Sequence, residues 1–353
     1  RVPWSFRLTN EALVSRGLSD IAFRNLNLNE PLGFDQYGRV MYGTIETAGR
    51  VSATRRSNFK DVIDLVDVSA NHSYQLTTRF ERERGEGLTG SISYTYSRAW
   101  DVQTPLFVNR PGTSEWATAR VMSGREDDLR ASVSSNDIPH RVIIVGSYAS
   151  PWTRGRTALS LYYVGESGRP FTYIAYGVGG RGDLNGDGSS ANDPIYVPRD
   201  ARDTTEISFT GQLAGADTSA AAQQERARTQ ANAFEGLIQR TPCLRRQRGR
   251  IMGRNSCREP WSSTTVASIR QELPVAGRLF DIQLDVFNLL NLLHGDWGLR
   301  REAIPALLEQ YAQTSGGAQS SRPIFRYDIN RPSWSTLAIE SGFELQLAGR
   351  YRF

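Results

Sequence analysis

The residues best suited to chemistry lie in one short run, "DLNGDGSSAND", from Asp183 to Asp193. Asp183, Asn185 and Asp187 alternate ahead of Gly188. That spacing wraps a loop around a hard cation, with side-chain oxygens on one side and a glycine allowing the sharp turn. An EF-hand-type loop carries Glu at its twelfth position, where this run has Pro194. Asn192 and Asp193 are the late ligands on offer, and calcium is the expected ion. The competing reading is an ion-free turn, because Asp, Asn and Gly dominate turns for conformational reasons alone.

Cys243 and Cys257 are the only cysteines. Two thiols cannot make a four-ligand zinc site, and no histidine lies near them in the chain. A disulfide in an oxidising compartment is the expectation, with free thiols as the alternative. "GVGGRG" (Gly177 to Gly182) matches a dinucleotide fingerprint, but no helix or βαβ context follows to hold a pyrophosphate. His72, His140 and His294 are widely separated and show no metal-ligand spacing. Asn136, Asp137 and His140 cluster, but they open a strand. The chain is not expected to be an enzyme; a Ser-His-Asp set would be a matter of geometry.

The elements that must position these residues read as strands. With 22% charged and 39% hydrophobic residues, the chain is not disordered by composition. Its net charge is +5 and Lys60 is the only lysine, so nearly all its cations are arginines. They are dispersed, the densest run being "RRQRGR" (Arg245 to Arg250), and no nucleic-acid partner is expected. Genomic base composition is one reading of the arginine bias. The longest apolar runs, "VIIV" (Val142 to Val145) and "FNLLNLL" (Phe287 to Leu293), fall far short of the ~20 residues of a membrane-crossing helix. That criterion is blind to β-barrels. The chain opens at Arg1 without a methionine or signal, as expected of a processed protein or part of a longer one.

Apolar residues recur at every second position in seven segments, beginning near Tyr74, Leu88, His140, Thr157, Ser262, Phe280 and Glu344. In the last, "FELQLAGRYRF", Leu345, Leu347, Gly349, Tyr351 and Phe353 share one face. Glu344, Gln346, Ala348, Arg350 and Arg352 share the other. Short connections near Arg84, Pro151 and Pro274 alternate with long ones over roughly 99–139, 177–261 and 291–333. An up-and-down barrel does this, with short periplasmic turns and long outer loops. The predicted fold is all-β: an antiparallel transmembrane β-barrel, about eight strands of a larger barrel, with short helices in long extracellular loops. Two helices are expected in those loops. One spans Thr218 to Arg240, capped by Thr218 or Ser219, and the other Glu302 to Gln313. Tyr351 and Phe353 would form an inner aromatic girdle and C-terminal assembly signal. Residues 1–70 are read as a preceding barrel-strand and outer-loop segment, with one strand, Gly38 to Glu46, amid loop-like sequence; residues 71–353 are the C-terminal part of the barrel.

Six segments carry a family resemblance: "YTYSRAWD" (Tyr94 to Asp101), "NDIPHRV" (Asn136 to Val142), "GRPFT" (Gly168 to Thr172), "DLNGDGSSANDPIYVP" (Asp183 to Pro198), "DVFNLLN" (Asp285 to Asn291) and "GRYRF" (Gly349 to Phe353). Together they resemble the Oar-like group of TonB-dependent outer-membrane receptors. The resemblance implies a barrel of 22 strands, a plug in its lumen, the TonB machinery as partner and a solute ligand that no residue here identifies. This chain has room for about eight strands and contains neither plug nor TonB box, so it is similar to the C-terminal part of such a receptor. A complete eight-stranded barrel is the alternative; its own side chains would fill it. The expected setting is the bacterial outer membrane, with strands in the lipid bilayer, loops extracellular and the C-terminus periplasmic. Two other functions compete with uptake: a surface adhesion or scaffold protein with calcium-braced outer loops, and a soluble β-rich binding domain or hydrolase.

Overall fold

Period-2 patterning builds a wall. In the computed structural model, residues 5–43, 55–59, 61–84, 87–104, 124–178, 181–190, 192–275, 278–314 and 322–352 are described. Eight long strands pair antiparallel in strict chain order: β1 (Ser5–Arg16), β2 (His72–Arg84), β3 (Leu88–Asp101), β4 (His140–Ala149), β5 (Thr157–Glu166), β6 (Ser262–Val275), β7 (Arg278–Phe287) and β8 (Glu344–Arg352). A two-residue strand, Ser132–Val133, adds to the end of β3. Among the described residues β1 and β8 each pair on one side only, so the sheet is open.

The register sorts side chains by chemistry across the whole sheet. Leu88, Tyr148, Leu159, Ile269, Leu284 and Leu347 are successive cross-strand partners on one face of six neighbouring strands. A one-residue slip would send that row to the opposite face. Leu8, Phe80, Ile92, Ile144 and Tyr163 make a second such row. Among the described residues no protein layer covers this face: Leu347 is 74% exposed and Leu8 62%. The opposite face is polar. Glu11, Thr77, Thr95, Arg141 and Glu166 form one of its rows. Ion pairs knit it, with Arg141 2.8 Å from Glu166, Arg79 2.7 Å from Glu81 and Arg270 2.6 Å from Asp281.

Aromatic rings border the apolar face at both ends. Toward the long connections, Trp100 stacks on His72 at 4.8 Å and lies 5.6 Å from Tyr74, while Tyr96 lies 5.4 Å from His140. Toward the short connections stand the stacked pair Phe6 and Phe80, then Tyr148 and Tyr351. Tyr96 and Leu88 mark the two ends of the band on β3, about 26 Å apart along the strand. At a tilt of about 40° that gives a height of about 20 Å, close to the apolar band of outer-membrane barrels.

All connections at one end are short: those from β2 to β3, from β4 to β5 and from β6 to β7. The long ones, 17–71, 102–139, 167–261 and 288–343, leave from the other end. There their described residues pack into a cap that holds the main apolar core. Phe171, Ile195, Val197, Phe234, Ile238, Leu244, Met252 and Leu308 are buried together in it.

Two expectations need correction. Residues 302–313, expected as a helix, form strands Arg301–Ala303 and Ala306–Gln313. The second lies between Ile174–Tyr176 and Pro323–Arg326 in a four-stranded cap sheet, where burial of Leu307 and Leu308 outweighs helix propensity. The wall strand within residues 1–70 is β1, and it lies ahead of the expected position. Gly38 to Glu46 contributes only the two residues Val40–Met41, paired with Gly33–Phe34; its last three residues lie outside the described ones. The expected helix over 218–240 does form, as α1 (Ala220–Arg240), and Ser219 caps it through the Ala222 N–H.

The sorted faces make a directional prediction. In a bilayer, Leu347→Arg should destabilise the folded wall by about 2–4 kcal/mol, the effect of a cation on the lipid face at mid-depth. Ala348→Arg, one residue along on the polar face, should change it by less than about 1 kcal/mol. Urea unfolding from liposomes, followed by gel migration without boiling, measures both.

Candidate functional site

The Asp183–Asp193 run sits deep in the cap, between Ile174–Tyr176 and the hairpin of residues 33–41. Asp183 turns the chain around itself. Its Oδ1 accepts from the N–H groups of Gly186 (2.7 Å) and Asp187 (3.2 Å), and its Oδ2 from that of Gly188 (2.8 Å). Gly186 and Gly188 take left-handed φ values of 71° and 91°. At Gly186 a Cβ would also meet the backbone nitrogen of Gly43 at 2.7 Å, so both conformation and space require glycine there.

Asp187 collects the remaining donors. Its Oδ1 accepts from the Ser189 N–H (2.7 Å), and its Oδ2 from the carboxamides of Asn185 (3.1 Å) and Asn192 (2.7 Å). Asn185 Oδ1 in turn accepts from the Asp187 N–H at 2.9 Å. Asp183, Asn185, Asp187 and Asn192 are thus brought together by hydrogen bonds among themselves and to the loop's own N–H groups.

Asp193 has a different partner. Its Oδ2 accepts from the Leu184 N–H (2.9 Å), and its Oδ1 from Arg39 Nη1 (3.0 Å). Arg39 is 1% exposed and also donates from Nη2 to the Pro194 carbonyl at 2.5 Å. Asp35 lies 3.7 Å from its Nε. The Tyr42 N–H donates to the Asn185 carbonyl at 2.8 Å, a second tie from the 33–41 region to the loop.

Burial is the main electrostatic force here. It pushes the Asp183 carboxyl up to about 8, with repulsion from Asp187 adding to the effect. Burial likewise raises Asp187, against the hydrogen bonds from Asn192 and Ser189. It holds Asp193 well above the usual carboxylate range despite the Arg39 charge. Asp183 and Asp193 are therefore buried near the Arg39 guanidinium, with Asp35 3.7 Å from that cation and Asp187 half-buried at the edge.

Sequence reasoning missed Arg39, Asp35 and Tyr42. The available signal was a lone arginine set against the apolar run "VMY", a position where a cation needs a buried partner. The other candidates are dispersed. Cys243 and Cys257 form the expected disulfide, pinning the end of α1's loop to the two-residue strand Cys257–Arg258. Asp137 is buried, and it accepts from the Ala99 N–H (2.8 Å), Arg98 (3.3 Å) and Arg258 (2.6 Å), which bolts the cap to the wall. His140 bonds the Tyr94 hydroxyl at 2.8 Å, and His294 stacks on Trp297 at 5.1 Å. Tyr351 pairs with Phe280 at the short-turn end of the apolar face. Phe353 lies outside the described residues, as do Gly179 and Gly180 of the glycine run. Among the described residues no helix directly follows that run.

An open antiparallel wall with one apolar face, aromatic borders and connections of alternating length is the architecture of an outer-membrane barrel. The family model for the outer membrane beta barrel domain matches residues 14–295, from within β1 to just beyond β7. The chain belongs to that family, and its place is the bacterial outer membrane, where the apolar face meets lipid. No curated protein and no solved structure matches it significantly.

Arg39 should prove the most sensitive residue of the cap. Arg39→Met leaves Asp193 buried without its counter-charge, a loss of about 3–5 kcal/mol to the cap. Trypsin should then cut at Arg181 and Arg199 at rates that leave the wall strands intact, as read by mass spectrometry of the digest.

Proposed function

We propose that this chain is the barrel portion of a TonB-dependent receptor of the Oar-like kind, which admits a scarce solute across the outer membrane. The observation that carries the reading is the division of labour in the fold. A polar inner face laced with ion pairs stands below one large cap built from every long connection. A wall alone needs no such cap, whereas capture of a solute needs a shaped surface in front of the lumen. The six motif segments resembling Oar-like receptors fall on wall strands and cap alike, in the order that group shows.

In this reading the cap faces the exterior, the short turns and the C-terminus face the periplasm, and Tyr351 belongs to the assembly signal. Further strands complete the wall beside β1 and β8, a plug fills the lumen, and the inner-membrane TonB machinery pulls it. No catalytic step is assigned to the chain. The buried core and disulfide of the cap also suit a rigid contact surface, so a surface adhesion or scaffold role is the second reading.

Site-specific photo-crosslinking in living cells separates the two. The full-length gene product should crosslink to TonB through a segment preceding the plug, and deleting that segment should abolish both the crosslink and solute-dependent growth. A full-length product with no TonB crosslink and no growth phenotype would refute transport and leave the scaffold.

A further inference from the structure

We propose that the lipid-facing surface at the cap end of β1 to β4 binds the phosphate headgroup of an anionic lipid through Arg16 and Arg98, set on a shelf of aromatic rings. The inference rests on the wall's place in the membrane, so it holds for uptake and scaffold alike.

Register brings the parts together. Arg16, His72 and Trp100 are cross-strand partners in the outermost row. Val14, Tyr74 and Arg98 make the next row inward, and Ala12, Leu76, Tyr96 and His140 the one after. Counting by two along each strand puts these rows on the face that carries Leu8, Phe80, Ile92 and Ile144. Val14 is 80% exposed and Tyr74 39%. The belt is thus open, and continuous with the surface that meets lipid.

Charge is unbalanced in this belt. The strand positions of β1 to β4 that share this face hold no Asp or Glu. Arg98 meets the buried Asp137 at 3.3 Å, but Asp137 also takes Arg258 at 2.6 Å. Two guanidinium groups therefore divide one carboxylate and leave positive charge over. Arg16 is exposed and makes no ion pair among the described residues. Asp20, four residues on, folds its carboxylate against Gly17 instead. At the margin of hydrocarbon a cation is partly stripped of water, and an anionic partner counts for more than at an open surface.

The rings prepare the site. Arg98 lies over the Trp100 ring, 5.1 Å from its centre, and Trp100 stacks on His72 and borders Tyr74. Tyr and Trp favour headgroup depth, and stacking holds a guanidinium flat with its donors in plane. That planar fork matches two oxygens of a phosphate. β1 and β3 lie two strand spacings apart, about 10 Å, a gap that arginine side chains from both can span. A soluble ligand would meet the cap; a surface abutting hydrocarbon meets headgroups.

Brominated lipids quench tryptophan on contact, so Trp100 reports which lipid sits on the belt. The full-length protein is reconstituted into vesicles of phosphatidylcholine and phosphatidylglycerol, with bromine on one or the other, and the Trp100 signal is taken as the difference from Trp100→Phe. Phosphatidylglycerol should be preferred there by at least about tenfold, since each arginine facing an anionic headgroup contributes about fivefold. Arg16→Gln should lower the preference about fivefold. Arg350→Gln, the same charge change on the polar face, should leave it unchanged. Equal contact by both lipids would overturn the site. So would a preference that survives Arg16→Gln and Arg98→Gln together, or that unlabelled sulfatide displaces as well as unlabelled phosphatidylglycerol does. Failure of either bromine to reach Trp100 would show the belt covered by protein, and would equally overturn it. Gel migration without boiling checks that each variant keeps its wall.

Discussion

A peptide group inside hydrocarbon has no water to bond with, so each N–H and C=O of a membrane-crossing strand must find its partner in a neighbouring strand. The rest of this protein's design depends on that constraint. It forces β1 to β8 into one continuous ladder, and it fixes the register. With the register fixed, period-2 patterning delivers Leu159, Ile269, Leu284 and Leu347 to the lipid side together. The polar side inherits Arg79, Glu81, Arg270 and Asp281 at distances where they pair. The wall contains almost no core of its own. Its apolar surface is satisfied by lipid, and the protein's buried hydrophobic residues gather in the cap.

The cap is an ordinary globular assembly joined to that wall by arginines. Arg258 donates from Nη1 to the carbonyls of Asp137 (2.7 Å) and Gly168 (2.9 Å), and from Nη2 to the Asp137 carboxylate (2.6 Å). Arg254 reaches the Asp101 carbonyl at 2.9 Å and the Ser132 hydroxyl at 3.0 Å. Within the cap, Arg248 holds the buried Glu235 of α1. Each joint uses a planar fork with several fixed donors, a task that the single charge point of lysine performs poorly. The near-absence of lysine thus has a structural counterpart, whatever base composition contributes.

The wall was legible in the sequence because membrane strands obey a simple rule that leaves a two-residue period and an alternation of loop lengths. Seven of its eight strands follow from that rule, and Leu345, Leu347, Tyr351 and their neighbours fall on the faces it assigns. β1 escaped because "SFRLTNEALVSR" interrupts the alternation with Asn10 and Ala12 on the lipid-side row. The cap was far less legible. "PALLEQYAQ" has helical composition, yet pairing with Ile174–Tyr176, more than a hundred residues earlier, and with Pro323–Arg326 just after it decides its form. The acidic run announced itself by spacing, whereas Arg39 reaches Asp193 across more than 150 residues and leaves no local trace.

The central claim is that one face of this wall meets lipid and the other meets an aqueous interior. Nitroxide labels placed singly at each residue from Leu345 to Tyr351, in protein reconstituted into liposomes, test it most directly. Collision with dissolved oxygen, which concentrates in hydrocarbon, should peak at Leu345, Leu347, Gly349 and Tyr351. Collision with a water-soluble nickel complex should peak at Gln346, Ala348 and Arg350. Loss of the two-residue alternation, or shelter of every label from both reagents beneath another protein layer, would contradict the account.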